Sequence, residues 1–131
     1  MPANEIQAVA GRLAESGTPL ISLVQDRTYP SKPKDNAALP YVVFYRQSGG
    51  DGANLSGQRA TRQYEIRVDA YATSQEQADE VLAAVFDRLH CWRDRDAGVQ
   101  GCFARGDADE QVLGDGNFVS GQTFALTFNP Q

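Results

Sequence analysis

A chain of 131 residues with 12 basic and 17 acidic side chains, net −5, has room for one domain with a core of its own. It lacks the clustered cations that grip a phosphate backbone, and no stretch approaches the ~20 apolar residues that span a bilayer. Its two cysteines, Cys91 and Cys102, are too few for a disulfide framework, and its hydrophobic fraction of 41% lies slightly below the globular range of roughly 45–50%, which leaves room for a surface covered by a partner.

The opening residues Met1-Pro-Ala-Asn-Glu5 have neither the basic start nor the apolar run of a secretion signal, so synthesis in the cytoplasm and no membrane partner are expected. Asn4 with Gln7 three positions on predicts a helix start, and Ile6, Val9, Ala10 and Leu13 form its apolar stripe. This helix is predicted over residues 4–16, with Gly17 in the left-handed position beyond it. Leu20-Ile-Ser-Leu-Val24 is too short for periodicity to choose between a helical turn and a short strand. Prolines 30 and 33 and the polar filling predict a loop over residues 29–38.

Pro40 suits the first residue of a strand, and Tyr41-Val-Val-Phe-Tyr45 is β-branched and aromatic on both faces, as in a central or doubly covered strand. Residues 47–57 hold four glycines in eleven positions and predict a flexible connection too long for a tight hairpin, and hence a candidate contact region. From Arg62 to Ala72 the period is two: Tyr64, Ile66, Val68 and Ala70 take one face, and Gln63, Glu65, Arg67 and Asp69 the other.

Ser74 with Gln77 is a capping box. Ala78, Val81, Leu82, Val85, Phe86 and Leu89 follow as one apolar stripe, ending near His90-Cys91, where a positive charge would suit the helix dipole. Trp92 to Gly98 reads as a polar turn, Val99 to Arg105 as a weak strand, and residues 106–116 as an acidic stretch in which Asp107-Ala-Asp-Glu110 is a solvated turn. In the last strand Phe118, Phe124, Leu126 and Phe128 share one parity, and Gly121 suggests a bulge. The predicted fold is a single α+β domain over residues 1–131. Its order is helix-strand-strand-helix-strand-strand, in a mostly antiparallel sheet with two helices packed on one face.

No motif carries chemistry. His90 is the one histidine, and Cys91, its chain neighbour, does not face it on a helix. Two cysteines eleven apart with one histidine do not make a zinc set. Asp107-Ala-Asp-Glu110 begins like a calcium loop without its glycine and closing glutamate, and the glycines of residues 49–57 lack the Gly-Lys-Ser/Thr ending of a phosphate loop. Among 17 acids no pair stands out for acid–base work, and the tyrosines lack the basic groove that accompanies base stacking. No catalytic, metal or cofactor residue is therefore expected.

Several strings taken in order resemble the tail-completion or tail-terminator family of long-tailed bacteriophages and related prophages. They are Asp26-Arg-Thr-Tyr-Pro30, Leu39-Pro-Tyr-Val-Val-Phe-Tyr45, Arg67-Val-Asp-Ala-Tyr-Ala-Thr73, the helix of Gln75–Leu89, and Phe124-Ala-Leu-Thr-Phe128. The likeness spans residues 6–128, and residues 93–116 depart from it most. It implies a structural virion protein and no enzyme, located at the head-proximal end of the tail. Such subunits close into a ring, six-membered in the family, that stops tube growth and meets the head-neck connector while DNA passes through.

The implied partners are further copies of the chain, the tail-tube protein, the neck protein, and DNA in transit without specific binding. Within residues 47–60 the expected contacts to a neighbouring subunit or the tube are Ser48, Gly49, Gly50, Asp51, Asn54 and Arg59. Asp107, Asp109, Glu110 and Asp115 are expected to supply acids to the bore, where like charge would let DNA slide. The competing readings are another connector component, such as a head-closure or tube protein, and a small host binding module or enzyme with a polar pocket.

Overall fold

The computed structural model describes residues 4–49, 62–114 and 116–129. Its eight elements are α1 (Glu5–Leu13), α2 (Pro19–Val24), β1 (Thr28–Pro30), β2 (Tyr41–Gly49), β3 (Arg62–Ala72), α3 (Gln75–Leu89), β4 (Val99–Val112) and β5 (Phe118–Phe128). The α+β class and the mostly antiparallel sheet are as predicted, and three elements differ.

The β3–α3 unit follows its sequence pattern. Tyr64, Ile66, Val68, Ala70 and Ala72 are buried on one side of β3. Ser74 Oγ accepts from the Gln77 amide at 3.1 Å. Gln77 Oε1 reaches back one residue beyond the cap, accepting from both the amide and the hydroxyl of Thr73 at 3.3 Å. Along α3, Ala78, Val81, Leu82, Val85 and Leu89 are buried, with Ala84 beside them. Phe86 is the exception at 37% exposed: it lies at the margin of the stripe, stacked on His90 with ring centroids 4.5 Å apart.

At the N-terminal end, Asn4 Oδ1 accepts from the Gln7 amide at 2.9 Å and caps α1. Gly17, at φ +79°, turns the chain into Thr18, whose hydroxyl caps a second helix with Pro19 in its first turn. The undecided run 20–24 is therefore helical, and the domain has three helices where two were predicted. Thr18-Pro19 is a start signal strong enough to commit a six-residue helix whose Leu20 and Val24 reach the core.

The predicted loop over 29–38 begins later, because Thr28–Pro30 forms a strand parallel to Val42–Phe44. The connection over residues 31–40 then lies alongside it, with Lys34 and Asn36 near Arg27 and Tyr29. Three residues in register with a neighbour suffice for an edge strand that local sequence does not announce.

The sheet order is β1-β2-β3-β5-β4. Every pairing except β1–β2 is antiparallel. One face is covered by the helices. Phe44, Ile66, Val68, Phe124, Leu126 and Phe128 meet Leu13, Leu20, Val24, Val81, Val85 and Leu89 there. Trp92, predicted in a polar turn, joins this core, with the Arg12 guanidinium 5.4 Å above its ring.

Two expectations near the C-terminus are corrected together. Gly121 pairs with Asp69 in an unbroken β3–β5 register, so β5 has no bulge there. The irregularity is on β4, where residues 106–108 stand against Gln122 between the pairs Arg105–Thr123 and Asp109–Gly121. Residues 107–110, predicted as a solvated turn, thus lie in the second half of a long edge strand. β5 supplies the template that a local reading of Gly-Asp-Ala-Asp-Glu lacks.

Candidate functional site

The face of the sheet away from the helices carries no covering layer among the described residues. Its centre is Arg67. The guanidinium donates from Nη1 and Nη2 to the two carboxylate oxygens of Asp109 at 2.9 and 2.5 Å, and from Nε to Asp69 Oδ1 at 2.8 Å. Gly121 lies beneath this group, and a Cβ there would strike the Arg67 guanidinium and the Asp69 carboxylate. The missing side chain lets an arginine lie flat across a strand, a close approach of the kind that places glycine inside sheets. The hydrogen bonds that Arg67 donates to Asp109 hold the guanidinium charged well above its ordinary value, and the same bonds hold the Asp109 carboxyl below its own.

Around this centre the polar groups satisfy one another. Arg105 lies 3.8 Å from Glu65, which also accepts from the Ser48 hydroxyl at 2.7 Å. Thr123 Oγ1 donates to Gln47 Oε1 at 3.1 Å. Tyr41 and Tyr71, directly opposite each other in the register, stack at 4.9 Å, and Tyr29 meets Tyr41 edge-on at 5.9 Å. A hollow of about 270 Å³ lies between Tyr45, Tyr71, Asp69 and Asp109. This face therefore presents hydroxyls, amides and neutralised arginines, with no free cation from β3 or β4.

On the helix side the β4 irregularity is held from below. The buried Gln122 amide donates to the carbonyls of Arg105 and Gly106, both at 2.9 Å, and Gly106 takes the left-handed φ of +66°. Next to it, Ser120 Oγ and Gln75 Nε2 donate to Asp79 Oδ1 at 2.6 and 2.9 Å, tying α3 to β5. Near its start the outer edge of β4 is covered by the turn after α3. The Cys91 amide donates to the Cys102 carbonyl at 2.7 Å, and the Ala104 amide donates to His90 Nδ1 at 3.0 Å. His90 thus acts as an acceptor at a sheet edge. From residue 105 to 112 that edge is exposed.

Strand alternation divides the predicted acidic run. Asp107 is exposed within the irregularity, Asp109 lies on the uncovered face opposite Gly121, and Glu110 lies on the helix side opposite Ser120. Of the predicted contact residues, Ser48 is on the uncovered face and Gly49 ends β2 opposite Tyr64. Gly50, Asp51, Asn54, Arg59 and Asp115 fall outside the described residues.

Sequence reasoning missed Arg67 as a centre and Gly121 as its seat. The available signals were an Arg-x-Asp on the polar face of a strand and a glycine inside a strand pattern. The two cysteines are both free. Cys91 is exposed, whereas burial pushes the Cys102 thiol up to about 12. Among the described residues no group of three His, Cys, Asp or Glu side chains is placed to hold a metal.

The profile of the family described as tail completion protein gp17 matches residues 7–122. Among solved structures, a chain of the virion of a native gene transfer agent particle has the same fold. Its TM-score is 0.76 at 19% identity, over 95% of this chain and 94% of that one. No curated protein matches the sequence. With the family profile running from the first helix into the last strand of the domain just described, this chain belongs to the tail completion protein gp17 family, a structural component of a phage-like virion.

Proposed function

We propose that this protein closes into a ring of its own copies at the head-proximal end of the tail. There it ends tube polymerisation and presents the joining surface to the neck, with DNA passing through the bore. The observation that carries this reading is the family match over residues 7–122, since a protein that completes a tail must sit where the tube stops. It acts by shape, with no bond made or broken.

The fold suits such a role. Head-to-tail contacts that close need two different surfaces on one subunit, and this sheet has two unlike edges, a three-residue β1 and a fourteen-residue β4. The uncovered face lines the passage in this proposal, with Asp107 and Asp109 toward the DNA. Arg67 and Arg105 are each matched to carboxylates, so among the described residues the face offers phosphates no unpaired cation, and DNA moves past them without counterion release. Ser48 and Gly49, with the segment bearing Gly50, Asp51, Asn54 and Arg59, reach a neighbouring subunit or the tube. Glu110 takes no part in the bore, because it lies on the other side of the sheet.

Removal of the protein from the particle-producing cell tests the reading by electron microscopy. Tails of uncontrolled length, unattached to filled heads, are the expected result. Tails of normal length would reject it.

A further inference from the structure

The helix side of the domain carries a long apolar groove with an acidic rim. Two adjoining hollows of about 460 and 360 Å³ share Ala83 and Asp87 and run from α2 across α3 to β4. The floor is Leu23, Ala83 and Phe86, the last being the one stripe residue of α3 that is left largely open. The rim carries Glu80, Asp87 and Glu110, and no lysine or arginine lines either hollow. Among the described residues none of these three carboxylates forms an ion pair, in contrast to the closely matched charges of the uncovered face.

The chain has two lysines, Lys32 and Lys34, both exposed and both on the loop over residues 31–40. That loop borders β1, and the Glu110 end of the groove borders β4, at opposite ends of the order β1-β2-β3-β5-β4. Four strand spacings of about 4.8 Å put roughly 19 Å between those edges, so the lysines do not reach the Glu110 end of their own subunit's groove. The loop also holds the apolar residues Pro33, Ala38 and Leu39, and Asp35 reduces its charge to a net +1.

We infer that the groove is the socket for the lysine loop of a second copy of this chain. The inference rests on the ring reading and names the contact that would build it. Opposite charges on opposite edges make a head-to-tail contact attractive. Groove against groove would bring eight carboxylates together, Asp79 included, so the same charges disfavour a closed two-fold dimer, which would end assembly early. Apolar contact with Phe86 supplies adhesion, and the charges supply orientation.

Zero-length carbodiimide coupling of the assembled wild-type protein tests the contact directly. It is done on a mixture of isotopically light and heavy chains and read by mass spectrometry. Hybrid peptides joining Lys32 or Lys34 to Glu80, Asp87 or Glu110 are expected. In parallel, Asp87→Lys with Glu110→Lys, and separately Lys32→Glu with Lys34→Glu, are each expected to weaken association at least tenfold by sedimentation. Combining all four is expected to restore it to within about threefold. Circular dichroism identifies the variants that retain the fold.

Rings seen by electron microscopy that yield no such hybrid peptides, and that tolerate the reversals, would overturn this contact and leave the ring intact. Wild-type protein that stays monomeric even with tail tubes added would overturn both. Reversals that weaken association singly but show no rescue when combined would also count against the pairing.

Discussion

Arg67 occupies the space that a side chain at position 121 would need. Gly121→Ala is therefore expected to displace the guanidinium and destabilise the domain by about 1–3 kcal/mol, the usual range for inserting an atom into a filled site. In an Arg67→Ala background the guanidinium clash is gone and only the contact with the Asp69 carboxylate remains, so the same change should cost less, and urea titration of the double-mutant cycle measures the difference.

Asp109 gives a second test at this scale. Its hydrogen bond from Arg67 depresses the folded carboxyl below the ordinary value. The stability it contributes is then present above the unfolded value near 4 and is lost as pH falls below that. Its side chain is 64% exposed, which limits the pair to roughly 0.5–1 kcal/mol at pH 7. Asp109→Asn should lower stability by that amount at pH 7 and flatten the decline from pH 4 downward. Urea midpoints that fall in parallel with wild type across that range would contradict the assignment.

At the scale of elements, α3 is held by a cap and a stripe that are both written locally. Ser74→Ala removes the acceptor for the Gln77 amide and is expected to cost about 1 kcal/mol, read as a lower urea midpoint at unchanged slope. β4 is built differently. Its first half pairs with β5 through one register shift between Val99 and Gly101 and is roofed by His90 and Cys91, while its second half is exposed and exists because β5 runs beside it and Gln122 secures the irregular residues between. An edge strand of this length that carries charges and an irregularity is guarded against unplanned pairing while keeping a surface for a planned one.

Across the whole molecule, stability should be graded from the centre of the sheet outward. β3 and β5 lie between two neighbours each and under the helices, whereas residues 105–112 of β4 have one neighbour and open solvent. Amide hydrogen exchange should be slowest in Ile66–Ala70 and Phe124–Leu126 and fastest, among strand residues, in 105–112. Equal protection along β4 and β5 in the free chain would refute that gradient.

Much of this architecture was legible before any coordinates. The period-two pattern of β3, the stripe and cap of α3, the cap of α1 and the shared parity of Phe124, Leu126 and Phe128 are local signals. Local steric and burial preferences suffice to produce them, and they placed one sheet face against helices correctly. The family likeness carried by Asp26–Pro30, Leu39–Tyr45 and Arg67–Thr73 was legible too, as a matter of order along the chain.

What tertiary structure alone decided has a common physical cause: each feature needs a partner distant in sequence. Thr28–Pro30 is a strand because Val42–Phe44 lies alongside it, and residues 106–112 are a strand because Phe118–Gly121 lies alongside them. Trp92 is buried because it packs into the core that the helices and sheet form together, with Arg12 of α1 over its ring. The acids at 109 and 110 divide between faces because pairing with β5 sets their alternation, and the Arg67–Asp109 pair joins residues 42 positions apart. Local chemistry specified which segments could be buried, and only the assembled sheet determined which charges would meet.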